Sequence, residues 1–295
     1  MIVVVASGKG GTGKTTVAAA LAVAVGDRVR LRFIDADVEE PNAAILLHPF
    51  ITSEESVYVE IPEIDEERCS HCGECARACR FNALAVLPDN VMLFEQLCHS
   101  CGTCQIVCPE GAVGWKPRLV GRIRRGYVET DWRRIEFLEG RLNVGEARAT
   151  PLIEALKERA SDECDTLVDC SPGTGCAVIE TLRLADFVLL VTEPTRFGMN
   201  DLEMAAEAVR RLGLEAAVVI NRATYGDAAA ARRLISRLGL DVLLELPYEA
   251  DVAKAYSRGK TLLDACPQWR ERFEQLWWDV ARRVARAKTA HRRHQ

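Results

Sequence analysis

Two stretches of this sequence carry residue types at spacings that chemistry requires. The first is Gly8-Lys9-Gly10-Gly11-Thr12-Gly13-Lys14-Thr15, followed by Thr16. It satisfies G-x-x-x-x-G-K-[ST] between an apolar, β-branched run at residues 2–6 and an Ala-rich stretch of helical character. Glycines let successive backbone N–H groups curl around a phosphate, and a helix N-terminus adds its partial positive charge. Lys14 is expected at the β- and γ-phosphates of a nucleotide, with the Thr15 hydroxyl on Mg²⁺. One lysine suffices for that chemistry, yet Lys9 stands in the same loop. The second stretch is the pair CSHCGECARAC and CHSCGTCQIVCP. Both read C-x2-C-x2-C-x3-C, at Cys69, Cys72, Cys75, Cys79 and at Cys98, Cys101, Cys104, Cys108, each cysteine 29 residues after its counterpart. Three closely spaced thiolates grip three irons of a cubane and the chain then turns away, so the fourth reaches the other cluster. The expected sets are Cys69, Cys72, Cys75 and Cys108 for one [4Fe–4S] cluster, and Cys98, Cys101, Cys104 and Cys79 for the second. Zinc would need paired C-x2-C knuckles at tetrahedral sites, which doubled four-cysteine runs fit poorly.

The elements that must position these groups are legible as periodicity. Strand-like runs at residues 2–6, 29–34, 166–169, 187–192, 217–221 and 242–246 alternate with helical stretches at 14–26, 151–160, 178–184, 201–212 and 228–238. Such alternation predicts an α/β fold, a mainly parallel sheet flanked by helices, with its ligand site at the carboxyl ends of the strands. Between about Tyr58 and Trp115 the pattern breaks and cysteines dominate. The segment from Glu60 to Arg118 holds nine Asp/Glu against five Lys/Arg, so it carries most of the net charge of −5. An acidic chain argues against a dedicated nucleic-acid binder. No apolar run reaches the roughly 18–20 residues of a membrane span. A cytoplasmic protein is expected, and since eight of its twelve cysteines fall at metal-ligand spacing, the even count is not read as disulfides.

With the form SGKGGTGKTT, the phosphate loop resembles the deviant Walker A motif of the MinD/ParA/Mrp family, which includes the nitrogenase iron protein. The resemblance spans residues 1 to about 50 and about 145 to 265. It implies ATP and Mg²⁺ as ligands and an ATP-dependent homodimer in which Lys9 reaches the partner's nucleotide. Asp35 and Asp37 in FIDADVEEPN match the family's switch I, with Asp37 orienting the attacking water. Asp169 in LVDCSPGTGC matches the switch II aspartate, so Asp35 and Asp169 are expected near Mg²⁺ through water. Asn221 in VVINR and Pro247 in LPYEADV match the positions that contact the base. The aspartates also make sense from position alone, because each follows a predicted strand end where a Mg²⁺-phosphate complex would sit. An isolated Asp there is more often a helix cap, a role that stays open for Asp35.

The cysteine block is similar to a two-cluster bacterial ferredoxin, with Arg80 standing where proline is usual after the first run. His71 and His99 lie inside the runs and read as solvent-facing filler, since the thiolate sets are complete. Cys164 and Cys266 read as small buried residues. Cys176 follows Asp169 at the offset where the nitrogenase iron protein places a cysteine of a cluster shared across its dimer. No cysteine between Cys108 and Cys164 supplies the second ligand of such a cluster, which leaves Cys170 as a conceivable substitute. The C-terminal C-P-x-C pair of Mrp-type cluster carriers is missing. Lys116, Arg118, Arg122, Arg124 and Arg125 are expected to pair with the acidic segment or to be solvated. Trp269, Phe273, Leu276, Trp277, Val280 and Val284 follow helical spacing and read as a last helix packed on the core, the alternative being a membrane-binding amphipathic helix like that of MinD.

These readings combine into an organisation: an ATPase part at 1–58, a small α+β ferredoxin-like insert at 59–118, the rest of the ATPase at 119–285 and a basic, disordered tail at 286–295. The expected function is an ATPase whose ATP-dependent dimerisation gates electron transfer through two [4Fe–4S] clusters to a redox partner protein. The alternative is a non-redox ATPase that carries or assembles a cluster or metallocofactor for an acceptor, and behind it a MinD-like positioning ATPase. Nucleic acid and membrane are not expected partners.

Overall fold

A computed structural model of the chain describes residues 1–160 and 163–292. Apolar runs form the strands β1 (Ile2–Ala6), β2 (Leu31–Ala36), β7 (Arg134–Leu142), β8 (Asp165–Cys170), β9 (Phe187–Thr192), β10 (Ala216–Ile220) and β11 (Val242–Glu245). Between β2 and β7 lie β3 (Phe50–Ile64), a hairpin of β4 (Leu84–Val86) and β5 (Val91–Leu93), and β6 (Val113–Glu129). Nine strands make one sheet in the order β11-β10-β9-β1-β8-β2-β7-β6-β3, parallel except where β6 meets β7 and β3. Its faces are covered by two helical layers. On one face lie α1 (Lys14–Val25), α2 (Ala43–Leu47), α10 (Leu262–Ala265) and α11 (Arg270–Arg292), burying Leu21, Phe33, Phe137 and Trp277. On the other lie α5 (Thr150–Glu158), α6 (Cys176–Leu182), α7 (Arg196–Arg211) and α8 (Ala228–Arg237), around Ile34, Leu138, Leu152 and Val188.

The alternating strands and helices stand within one or two residues of their expected positions at most boundaries, although α7 begins at Arg196 rather than 201. The antiparallel extension β7-β6-β3 was not anticipated. β7 and β6 carry Arg and Glu at many positions, which masks a strand pattern, and several of those charges find partners on neighbouring strands. Arg32 pairs with Glu136, Arg124 with Glu139 (3.0 Å), Arg122 with Glu54 (2.8 Å) and Arg118 with Glu146 (2.5 Å). Thus the basic stretch mostly pairs with acids of the sheet and of the loop after β7; Lys116 with Glu95 (3.0 Å) is its pair to the acidic segment.

This extension also alters the expected boundaries. β3 and β6 run unbroken through positions 58/59 and 118/119, where the insert was expected to begin and end. Register places Glu54 opposite Arg124, Arg124 opposite Glu139 and Glu139 opposite Asp35, so β3 runs in the same direction as β2. By Tyr58 it has passed the carboxyl edge of the parallel strands. The remaining residues to Ile64 carry a ribbon about 20 Å beyond that edge. The cysteine-rich segment therefore stands over the edge that holds the phosphate loop, on a stiff two-stranded arm.

The last helix corrects one more boundary. α11 is helical to Arg292, well past the expected tail start at 286, and positions 293–295 lie outside the described residues. Phe273, Leu276, Trp277, Val280 and Val284 are buried in the core, so the apolar face of this helix is not free for a membrane. Among the described residues no helix is long and apolar enough to cross one. Trp277→Ala should lower the free energy of unfolding by about 3–5 kcal/mol, read as a shift in the denaturant midpoint. Trp277→Phe should cost less, because the buried indole N–H has no hydrogen-bond partner.

Candidate functional site

The phosphate loop owes its shape to glycine. Gly11 and Gly13 sit at φ +80° and +90°, left-handed conformations that a side chain disfavours. At Gly13 a Cβ would also meet Asn221 Nδ2 at 2.2 Å. That Asn221 amide donates to the Thr12 carbonyl at 2.8 Å, so the residue expected at the base also clamps the loop. α1 starts at Lys14, and the loop opens into a cavity of about 360 Å³ at the carboxyl edge of the sheet. Gly10, Gly11, Gly13, Lys14, Thr15 and Thr16 line it together with Asp37, Asn221, Pro247, Tyr248, Tyr256 and Trp269. The loop, Asp37 and the positions expected at the base thus share one cavity. Sequence reasoning missed the three aromatic rings, whose only signal is their nearness to Pro247 and to the last helix.

Carboxylates surround Lys14. Its Nζ lies 2.7 Å from Asp169 Oδ1 and 3.9 Å from Asp37 Oδ2. Burial works against the ammonium, but the charge and hydrogen bond of Asp169 prevail and hold its pKa above the ordinary lysine value. Asp169 is wholly buried, and its Oδ2 has no hydrogen-bond partner. An unpaired buried carboxylate oxygen is costly, and a hydrated divalent cation is a group that would satisfy it. Asp37 is raised by burial, against the opposing pull of Lys14.

Asp35 lies in register with Asp169 on the neighbouring strand. Burial, and after it the Asp169 charge, push its carboxyl well above the usual range. Its oxygens accept from the backbone N–H groups of Asp37 (3.1 Å), Asn42 (3.1 Å) and Ala43 (2.9 Å). Asp35 therefore ties down the turn that carries Asp37 and leads into α2, the capping role left open for it.

Lys9 lines the cavity yet points away from Lys14. Its Nζ pairs with Glu193 Oε1 at 3.0 Å and lies over the Phe197 ring. Glu193, just past β9, also binds Arg222 at 3.0 Å. Gly8 admits the close approach of α7, since a Cβ there would meet the Asp201 carbonyl oxygen at 2.1 Å. Glu193 gave no sequence signal beyond its place after a strand.

The two cysteine runs fold as a structural repeat. Helices α3 (Glu74–Ala78) and α4 (Thr103–Ile106) start after Gly73 and Gly102, at φ 80° and 79°, and His71 and Ser100 both sit at φ 54°. In each run the last cysteine accepts a backbone N–H, Ala83 to Cys79 Sγ and Ala112 to Cys108 Sγ, both at 3.3 Å. Cys69, Cys72, Cys75 and Cys108 line one cavity, so Cys108 has crossed from its own run into the other. Burial raises the Cys75 thiol, and charge on Cys69 and Cys108 acts in the same direction. Cys79 in turn packs in one apolar cluster with Cys98.

Among the described residues the only trio of such donors within 4.8 Å of one another is Glu66, Cys69 and His71. Four thiolates on one zinc would lie about 3.8 Å apart, given Zn–S of ~2.3 Å. Among the described residues no three of these sulfurs lie within 4.8 Å of one another. His71 pairs with Glu66 at 3.2 Å, and His99 stacks on Phe81. The leftover cysteines separate cleanly. Cys170 is buried in β8, and burial pushes its thiol up to about 12. Cys176 is exposed at the start of α6, Cys266 is buried and Cys164 is half-buried.

A glycine loop after the first strand of a mainly parallel sheet, with a buried lysine at the start of the following helix, defines a P-loop nucleotide-binding α/β protein. The chain belongs to the CobQ/CobB/MinD/ParA nucleotide-binding family, whose domain model matches residues 3–262. It is 31% identical over 271 residues to the uncharacterized protein MJ0579 of Methanocaldococcus jannaschii, covering 89% of this chain and 91% of that one. The uncharacterized protein MJ0578 of the same organism is 28% identical over 283 residues, covering 94% and 95%. Among solved structures, the septum site-determining protein MinD with Mg-ADP from Pyrococcus horikoshii matches with a TM-score of 0.59 at 16% identity, covering 95% of both chains.

Proposed function

We propose that the chain is an ATP-hydrolysing iron–sulfur protein in which ATP-dependent dimerisation gates electron transfer through two [4Fe–4S] clusters to a redox partner. The observation that carries this reading is the crossing of Cys108 into the cavity of Cys69, Cys72 and Cys75, an interleaving that two cubanes require and two independent zinc knuckles do not. Cys98, Cys101, Cys104 and Cys79 would hold the second cluster. When bound, the clusters supply one-electron transfer. The chain's residues fix the thiolates, donate N–H groups to sulfur and hold the module over the nucleotide edge.

At that edge Lys14 and Thr15 would hold the phosphates and Mg²⁺, with Asp169 and Asp35 beside the metal and Asp37 orienting water. A γ-phosphate entering the loop competes with Asp169 for Lys14. Binding would free the Asp169 carboxylate from Lys14, leaving it available to hold Mg²⁺, and would reshape the loops that carry Asp37 and Asp169. Lys9 is assigned to the partner's nucleotide, which it can reach only by leaving Glu193.

A second reading is supported by the exposure of Cys72 and Cys101, one in each set. Exposed ligands favour loss of a cluster to an acceptor, the behaviour of a carrier. Anaerobic reconstitution separates the two. Gating predicts about eight irons per chain, EPR signals of reduced cubanes, and their oxidation by a viologen dye at a rate that changes on adding ATP and Mg²⁺. Retained clusters whose oxidation ignores ATP would overturn the gating reading, and transfer of iron and sulfide to an apo-ferredoxin would establish the carrier.

A further inference from the structure

The arm that carries the cysteines leaves the sheet at one point. β6 pairs with β7 only as far as Gly121, opposite Leu142, and beyond it β3 and β6 continue as a two-stranded ribbon. There Val57 faces Gly121 while Tyr58 faces Leu119, so Val120 is an extra residue on β6. Such a β-bulge bends its strand and re-aims whatever the strand carries. Asn143, the residue after β7, holds the bulge by two bonds. Its backbone N–H donates to Val120 O at 3.0 Å, and its Nδ2 donates to Leu119 O at 3.2 Å.

The same segment touches the nucleotide loop. Leu142 N–H donates at 2.8 Å to the carbonyl of Val38, the neighbour of Asp37. Val38 also packs so closely on β7 that a Cβ at Gly140 would meet its Cγ1 at 2.6 Å. Above the bulge, Arg118 is tied at 2.5 Å to Glu146, whose N–H donates to Asn143 O at 3.0 Å.

We propose that Asn143 is a positioning residue that couples the Asp37 loop to the orientation of the cysteine module. A displacement of Val38 is passed to Leu142 through their hydrogen bond, Asn143 moves with Leu142, and the bulge turns the ribbon. On a lever of about 20 Å, a turn of about 10° moves the cysteines by roughly 3–4 Å. This inference rests on the gating reading, because it assigns the route by which nucleotide state reaches the clusters.

The test is amide hydrogen exchange, followed by mass spectrometry, on the reconstituted full chain with and without a non-hydrolysable ATP analogue and Mg²⁺. In the native protein, exchange in peptides covering 57–64 and 113–120 should change on adding the analogue. Asn143→Ala, and Asn143→Asp, which keeps the shape but loses the donor to Leu119, should reduce that change at least five-fold, with iron content and analogue affinity within about two-fold of the native protein. Arg118→Met, which loosens the ribbon above the bulge, should do the same and serves if the Asn143 variants fail to fold. Variants that respond as the native protein does would overturn the role of Asn143 and leave gating intact. A native protein that binds the analogue with no change in the ribbon would also overturn this route, while gating itself is read by the ATP dependence of cluster oxidation.

Discussion

Lys9→Ala is expected to abolish ATP-dependent dimerisation and to lower ATP hydrolysis by about three orders of magnitude or more, the scale of a cationic group acting in trans on phosphoryl transfer. Both clusters should be retained, because Lys9 follows β1, four strands from β6 of the arm. The geometry sharpens the expectation. Lys9 is held at 3.0 Å by Glu193 in its own chain, so its trans role requires that pair to open. Glu193→Gln should therefore dimerise at least as readily as the native protein, opposite in direction to the lysine variant. Light scattering with a non-hydrolysable analogue, alongside phosphate release, reads both. Persistent ATP-dependent dimers in Lys9→Ala would remove the trans assignment.

The second large effect concerns the crossed ligands. Cys108→Ala should cost the cluster of the first run and leave that of the second, with iron falling from about eight toward about four per chain. Its EPR signature should match Cys75→Ala, although Cys75 lies in the other run, and should differ from Cys104→Ala, although Cys104 is only four residues away. Cys79→Ala should in turn resemble Cys104→Ala. If Cys108→Ala instead resembles Cys104→Ala, each run holds its own metal and the module is not a two-cubane fold.

Two observations bear on how far the nitrogenase iron protein serves as a guide. Cys170 is buried in β8, whereas a ligand shared across a dimer must face the partner. Exposed Cys176 is left alone, so the proposed electron path runs through the arm-borne cysteines. Likewise the last helix spends its apolar face on α1 and the sheet, which weakens the positioning-ATPase reading.

The sequence alone determined what depends on local spacing. A phosphate loop works through consecutive backbone amides and a helix start, and cubane binding begins with thiolates three residues apart, so both are written in contiguous residues. The parallel core was equally readable, because strands buried on both faces must be apolar throughout. What only the tertiary structure decided lies where charge hides periodicity or where contacts span the chain. β6 and β7 hold arginines and glutamates whose partners, as for Arg124 with Glu139 and Arg122 with Glu54, come from neighbouring strands. Asp35 looks like a metal carboxylate in sequence, yet three backbone N–H groups converge on it. Glu193 and Asn143 match no motif; they matter because folding sets one beside Lys9 and the other between the nucleotide loop and a bulge. Above all, the two motifs stand 55 residues apart at their nearest lysine and cysteine, and only the register of β3 against β6, β7 and β2 places the cysteines over the nucleotide edge. That register is set by backbone pairing and ion pairs between neighbouring strands, a long-range condition that local residue order does not express.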